Sequence, residues 1–169
     1  YHRRRSTKSL LADMGGSLFI ERRSRDNISA EIGTIAAALK SGHTVTLYPE
    51  GTSSDGRTVL PFKRSLIKAA IDASVPVQPL ALTYTRINGR PFGDSNRDMV
   101  CWYGDMSFLP HFLRLFTVRS INVNLSFLDP IYPAPTDSRK DICDLAWPRI
   151  RDAYAKVAGK QDTAAAGQQ

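Results

Sequence analysis

Apolar residues spaced three and four positions apart predict the helices of this chain. The clearest stripe occupies one helical face and consists of Ile28, Ile32, Ile35, Ala36 and Leu39. Gly42 follows this stripe and suits the end of a helix. A second amphipathic helix is predicted around residues 66–71. A last helix is predicted within residues 139–157, where Pro148 interrupts the pattern.

Short runs of β-branched and apolar residues between turn-forming residues predict the strands. They lie at residues 17–21, 44–47, 77–84, 100–103 and 121–127. Asn88 and Gly89 predict a tight turn, and a short helix is predicted near residues 112–116. Because strands alternate with helices, the pattern predicts an α/β domain with a largely parallel central sheet flanked by helices.

The length and composition are those of one globular domain with a basic surface. The chain has 169 residues, and its 23 Lys and Arg against 16 Asp and Glu give a net charge of +7. We predict a single domain over residues 1–159 and a disordered polar tail over residues 160–169. The chain does not begin with Met, so we expect the domain to be truncated at its N-terminus.

The basic charge favours anionic partners, which include nucleic acid, anionic lipid headgroups and phosphorylated substrates. Two cysteines 42 positions apart and three scattered histidines predict neither a zinc site nor a disulfide framework. No apolar run reaches the roughly 18 residues of a membrane-spanning helix. Nucleic acid ranks last among the partners, because the aromatic residues fall mostly inside apolar runs.

The most informative segment is the loop at residues 49–57, with the sequence PEGTSSDGR. It follows a predicted strand, and ligands of open α/β sheets bind beyond the carboxyl ends of strands. Gly51 and Gly56 permit positive φ. Thr52, Ser53 and Ser54 offer hydroxyls, and the backbone N–H groups of such a turn can form an anion-binding nest. The segment is neither a Walker A loop nor a dinucleotide fingerprint. A plain surface loop is the alternative interpretation.

Three sequence blocks, in order, resemble those of the glycerolipid acyltransferases, which include 1-acylglycerol-3-phosphate acyltransferase. Residues 48–52, YPEGT, resemble the Phe-Pro-Glu-Gly-Thr block. Residues 16–22, GSLFIER, resemble the upstream Gly-x-Ile/Leu-Phe-Ile-x-Arg block, and residues 75–79, VPVQP, resemble the downstream Val-Pro-Ile/Val-x-Pro block. The resemblance covers roughly residues 10–133. The segments EGTSSDG, LPFK and WYGDM are similar to a bacterial branch that includes lysophosphatidate and lyso-ornithine-lipid acyltransferases.

The resemblance implies transfer of a fatty acyl group to a lysophospholipid such as 1-acylglycerol-3-phosphate. The donor would be acyl-CoA or acyl-carrier protein, with no metal or redox cofactor, and the reaction would take place at the cytoplasmic face of the cell membrane. The family's base is a His in a His-x4-Asp motif. Here His2, His43 and His111 are followed five positions later by Thr, Tyr and Phe. We therefore assign no catalytic residue, and we expect either a fragment or a degenerate, non-catalytic lipid- or anion-binding remnant.

The resemblance also implies which residues bind the substrate. Arg22 matches the arginine of the upstream block, where a guanidinium grips phosphate. Glu50 matches the acid of the loop block. Because a carboxylate would repel a phosphate, we expect it to accept hydrogen bonds from loop amides or to pair with Arg22 or Lys63. This role is structural more than catalytic.

The remaining predicted contacts come from the loop and the helix after it. Gly51 and Thr52 would shape the loop and donate hydrogen bonds to the ligand. Ser53 stands where many family members have Arg. Lys63 or Arg57 can replace the lost cation, and a zwitterionic lyso-ornithine lipid becomes an alternative acceptor. Residues 108–116 can border an acyl tunnel or lie on a membrane, but ordinary core packing is the favoured prediction.

Overall fold

Residues 25–166 are described by a computed structural model, with side chains described from residue 28 to residue 159. The helices of this part are α1 (Arg25–Lys40), α2 (Lys68–Ala73), α3 (Phe108–Leu115) and α4 (Arg139–Ala166). Its strands are β1 (Leu80–Ile87), β2 (Arg90–Pro91) and β3 (Ile121–Phe127). Two 3-10 turns lie at Ser65–Ile67 and Arg97–Met99. The α/β class is therefore confirmed.

The sheet has the strand order β2-β1-β3, and both pairs are antiparallel. Asn88 and Gly89 join β1 to β2 with φ values of 51° and 77°, which is the tight turn that the sequence predicts. A two-residue turn can connect only antiparallel strands. The described strands thus do not confirm the largely parallel sheet. The predicted strand at residues 17–21 lies outside the described residues.

Two predicted strands are wrong within the described part of the chain. Residues 44–47 form no strand there. Residues 100–103 follow a 3-10 turn, and the amide of Cys101 donates to the carbonyl of Arg97 at 2.8 Å. Because this donor is used locally, it is not available for a sheet ladder. The strand predicted at residues 77–84 begins later, as β1, and Val77 forms only an isolated bridge with Ile131.

The core consists of two apolar clusters that fix the helices against each other and against the sheet. One joins α1 to α2 and contains Ile32, Ile35, Ala36 and Ala69. The other joins the start of α4 to the turn before α2 and contains Ile67, Ile131, Ile142, Cys143 and Ala146. Helix α4 also lies against β1, where alternate residues such as Ala81 and Thr83 are buried.

Helix α4 begins with a reciprocal cap and ends later than predicted. The Ser138 amide donates to Asp141 Oδ2 at 2.8 Å, and the Asp141 amide donates to Ser138 Oγ at 3.3 Å. These hydrogen bonds hold the pKa of Asp141 below its usual value. The helix continues to Ala166, into the tail that we predicted to be disordered. Alanine has the highest helix propensity, which accounts for the extension through residues 164–166.

Helix α3 contributes no buried residue to the core, so the favoured prediction of ordinary core packing for residues 108–116 is wrong. None of its residues is buried. Leu109, Leu113 and Phe116 are 58%, 57% and 77% exposed. The rings of Phe108 and Trp102 meet edge to face at 5.6 Å between centroids, and this contact holds the start of the helix.

Candidate functional site

The loop that carries the acyltransferase-like block folds back on its own first residues. The Gly51 amide donates to the carbonyl of Tyr48 at 3.2 Å, and the Lys63 amide donates to the carbonyl of Pro49 at 2.8 Å. Gly51 and Gly56 have φ values of 67° and 69°, a region that other residues rarely adopt. These two glycines therefore permit the turns that bring both ends of the loop together.

The carboxylate of Glu50 links the start of the loop to the segment that follows the loop. Its Oε2 atom accepts a hydrogen bond from the backbone amide of Leu60 at 2.8 Å, in a partly buried position. Among the described residues Glu50 forms no ion pair with Lys63. Acceptance of a hydrogen bond from a loop amide is thus observed for Glu50, whereas its pairing with Arg22 stays a prediction, because Arg22 lies outside the described residues.

A cavity of about 230 Å³ opens beside the first half of the loop. Its polar rim includes Gly51 and Lys63, and its walls include Ile28, Leu47 and Leu66. An ammonium group beside an apolar wall suits an amphiphile that carries an anionic or carboxylate-bearing headgroup. The cavity is thus chemically suited to the polar end of a lipid.

Apart from Glu50, the predicted site residues fall into three groups. Gly51 and Lys63 line the same cavity. Thr52 and Ser53 are exposed outside its lining, and the Thr52 hydroxyl donates to the Ser53 carbonyl at 3.3 Å. Arg22 lies outside the described residues, and its convergence with the loop stays a prediction.

Two residues that the sequence did not mark hold the second half of the loop. Arg97 donates through Nη1 to the carbonyl of Asp55, and the Tyr154 hydroxyl donates to the carbonyl of Gly56. Cys101 Sγ lies 3.2 Å from the position that a Cβ atom on Gly56 would take. The loop is therefore closely packed from behind, and a Cβ atom at position 56 would require the Cys101 side chain to shift and would be strained by the positive φ.

Burial keeps the groups behind the loop protonated. It raises the pKa of the Tyr154 hydroxyl and of the Cys101 thiol above their ordinary values. Tyr154 consequently remains a hydrogen-bond donor at neutral pH. Within the described residues no group of three His, Cys, Asp or Glu side chains is arranged to hold a metal ion. No helix in that part of the chain is long and apolar enough to cross a membrane.

Known proteins are similar to this chain over a range that includes the loop. Residues 6–83 match the acyltransferase family model. The chain is 34% identical over 167 residues to lyso-ornithine lipid O-acyltransferase of Rhizobium meliloti, a match that covers 94% of this chain and 57% of that protein. The chain belongs to the acyltransferase family. The family resemblance seen in the three sequence blocks is thereby confirmed.

The names of two further relatives of this chain refer to different acceptor lipids. Lyso-ornithine lipid O-acyltransferase of Brucella abortus is 34% identical, covering 84% of this chain and 56% of that protein. The 1-acyl-sn-glycerol-3-phosphate acyltransferase of Neisseria gonorrhoeae is 28% identical, covering 88% of this chain and 57% of that protein. The chain thus spans little more than half the length of these relatives. No solved structure matches it.

Proposed function

We propose that this acyltransferase moves a fatty acyl group from acyl-CoA or acyl-carrier protein to the free hydroxyl of a lyso-lipid in membrane lipid synthesis. The observation that carries this proposal is the YPEGT loop, closed by Glu50 onto the Leu60 amide and bordering a cavity with Lys63. In the reaction the hydroxyl oxygen attacks the thioester carbonyl, a base takes its proton, and the thiolate leaves.

Two lyso-lipid acceptors fit the family. A lysophospholipid such as 1-acylglycerol-3-phosphate needs cations for its phosphate, and Arg22 with Lys63 would supply them. A lyso-ornithine lipid needs fewer cations. Ser53, which replaces the arginine of many family members, favours the second acceptor. So does the higher identity to the two lyso-ornithine lipid acyltransferases.

The acceptor is a membrane lipid, and α3 supplies a surface suited to a membrane. Leu109, Leu113 and Phe116 expose large apolar side chains, and Arg114 lies among them. Apolar side chains can enter the acyl-chain region of a bilayer, and a neighbouring cation can contact its anionic headgroups. The two contacts together favour peripheral binding at a membrane surface. We therefore propose that the protein works at the cytoplasmic face of the cell membrane through α3.

The full-length protein, assayed with a radiolabelled acyl thioester and each lyso-lipid, tests this function. Arg22→Ala and Lys63→Ala are expected to lower transfer by about tenfold or more, because a hydrogen bond to a charged group contributes about 1.5–3 kcal/mol. Lys156→Ala, an exposed lysine on α4, is the matched control. Unchanged activity in both test variants would contradict the assigned headgroup site. Lipid binding without turnover would favour the non-catalytic remnant.

A further inference from the structure

The turn between β1 and β2 is tied to the segment that leads into β3. The backbone amides of Arg119 and Ser120 donate to Asn88 Oδ1 at 2.8 Å and 3.2 Å. The Asn88 amide in turn donates to the carbonyl of Ser120 at 2.9 Å. These hydrogen bonds hold two separate segments together, residues 86–91 and residues 117–121, which we call the turn region.

The turn region carries positive charge without acidic residues. Its two segments, RINGRP and TVRSI, contain Arg86, Arg90 and Arg119 and no Asp or Glu. Arg114, near the end of α3, adds a fourth cation, and all four residues are exposed. Within residues 28–159, for which side chains are described, none of these guanidinium groups forms an ion pair. The arginines are therefore available to an anionic partner.

The register of the sheet brings the two segments of the turn region close together. Ile87 pairs with Arg90 on one side and with Ile121 on the other. Adjacent strands are about 4.8 Å apart, so the backbones at Arg90 and Ile121 lie about 10 Å apart, and Arg119 comes two residues before Ile121. This spacing is close to the screening length of about 8 Å at physiological salt. The arginines thus act together on a partner.

Large apolar side chains lie next to these arginines in the chain. The amides of Thr117 and Val118 donate to the carbonyls of Arg114 and Leu115 at 3.0 Å and 3.1 Å, so the chain turns tightly after α3. Phe116 in this turn is 77% exposed. The exposed apolar side chains of α3 are therefore followed within a few residues by the turn region.

We propose that the turn region binds the headgroups of anionic phospholipids and orients the protein on the membrane. Cations beside exposed leucine and phenylalanine side chains fit an anionic bilayer, which offers negative headgroups and an apolar interior to one surface. The inference rests on the proposed function, because it assumes that α3 contacts the same membrane. It adds a second contact and a requirement for anionic lipid.

The turn region lies beyond the loop along β1. Gly56 of the loop and Tyr84 of β1 line one cavity, so the second half of the loop lies against the middle of this strand. A strand rises about 3.3 Å per residue, and the turn at Asn88 therefore lies about 13 Å further along. A membrane bound at the turn region is thereby brought close to the loop, as transfer to a lipid acceptor requires.

Vesicle binding by the full-length protein tests the inference. The double variant Arg90→Gln, Arg119→Gln removes two exposed cations of the turn region. Each arginine near an anionic bilayer raises the affinity about fivefold, so affinity for vesicles of phosphatidylcholine mixed with phosphatidylglycerol is expected to fall about 25-fold. Affinity for vesicles of phosphatidylcholine alone is expected to stay the same. Equal binding of the unmodified protein to both kinds of vesicle, or no loss in the variant, would overturn the proposal.

The matched control removes two arginines of α4. Arg139 and Arg149 are exposed and have no ion pair within the described residues. The double variant Arg139→Gln, Arg149→Gln thus loses the same net charge and is expected to keep most of the affinity for anionic vesicles. Equal losses in the two double variants would show that net charge alone determines binding, which would refute the inference.

A fluorescent label reports which side of the protein meets the bilayer, independently of charge at the arginines. Ser120→Cys places the label in the turn region, and Lys140→Cys places it at the start of α4; both positions are exposed. The native Cys101 and Cys143 are buried, so brief labelling reaches the new thiol first. Anionic vesicles are expected to shift the emission of an NBD label to shorter wavelength at position 120 and not at position 140. The same response at both positions would contradict the proposed orientation.

An acidic protein is the alternative partner of the turn region. Binding of acyl-carrier protein is measured with the same double variants. If Arg90→Gln, Arg119→Gln loses affinity for acyl-carrier protein and keeps its affinity for anionic vesicles, the surface belongs to an acidic protein and the inference fails.

Acyl transfer separates failure of this inference from failure of the proposed function. In neutral detergent micelles the double variant Arg90→Gln, Arg119→Gln is expected to be as active as the unmodified protein, whereas on anionic vesicles it is expected to be slower. Equal loss of activity in both settings would contradict a role in membrane binding. Absence of transfer by the unmodified protein in either setting would count against the proposed function and leave the vesicle-binding result standing.

Discussion

Replacement of Glu50 by alanine is expected to destabilise the chain, because the carboxylate joins two arms of the loop. Its Oε2 atom accepts the Leu60 amide at 2.8 Å. Without the carboxylate, a partly buried N–H loses its acceptor. Hydrogen bonds to charged groups contribute about 1.5–3 kcal/mol. Glu50 is only partly buried, so we expect the lower end, about 1.5 kcal/mol.

Urea unfolding measures this effect directly. With a dependence of about 1–3 kcal/mol per molar urea, a loss of 1.5 kcal/mol lowers the midpoint by about 0.5–1.5 M. Trp147 is a local reporter, because its Nε1 atom donates to the Leu60 carbonyl at 3.1 Å. Its fluorescence is therefore expected to follow the opening of the loop.

Two control variants separate the hydrogen bond from the charge. Glu50→Gln keeps an oxygen acceptor and loses the charge, so it is expected to cost about half as much as Glu50→Ala. Asp129→Ala removes an exposed carboxylate and is expected to leave the midpoint in place. If Glu50→Ala unfolds at the same urea concentration as the unmodified chain, the loop is not held by this contact. Equal losses in Glu50→Ala and Glu50→Gln would also refute the reasoning.

Three other expectations follow from α3, from the cap of α4 and from the buried thiols. Leu113→Gln is expected to reduce co-sedimentation with anionic vesicles without lowering stability, and unchanged sedimentation would argue against membrane contact through α3. Hydrogen bonds with Ser138 lower the pKa of Asp141. This carboxylate therefore stabilises the fold at pH values above its unfolded pKa of about 3.9, and the stabilisation is lost as the pH falls through the lower pKa of the folded state. In Ser138→Ala, less stability should be lost as the pH falls. Identical acid unfolding curves for the variant and the unmodified chain, measured by circular dichroism, would contradict this. Burial raises the pKa of Cys101 and Cys143, so iodoacetamide should label them slowly until urea is added, and rapid labelling of the folded chain would disprove their protection.

Features with local causes could be predicted from the sequence. The α1 stripe, the Asn88 turn and the strand β3 follow from residue spacing and turn chemistry within short segments. The antiparallel pairing of β1 with β3 could not be predicted in this way, because these two strands are distant in the chain. Residues 100–103 have β-branched and aromatic character, yet Val100 lies in a turn and residues 101–103 have no regular structure.

In the candidate site, too, local features could be predicted from the sequence and contacts between distant residues could not. Hydrogen bonding of Glu50 to a loop amide followed from the chemistry of a carboxylate beside an anion site. The contacts of Arg97 and Tyr154 with the loop left no signal in the sequence, since these residues lie 42 and 98 positions from their partners. No local pattern distinguishes such residues from ordinary surface residues.

The hydrogen bond between Tyr154 and Gly56 has a consequence for biosynthesis. The ribosome adds Tyr154 98 residues after Gly56, so a nascent chain that has emerged only as far as the loop lacks this clamp. The loop acquires this contact only after α4 has been translated and has docked on β1. Completion of the loop contacts is thereby tied to the late stages of synthesis, and in a polypeptide that lacks α4 the second half of the loop keeps the contact with Arg97 but not the one with Tyr154.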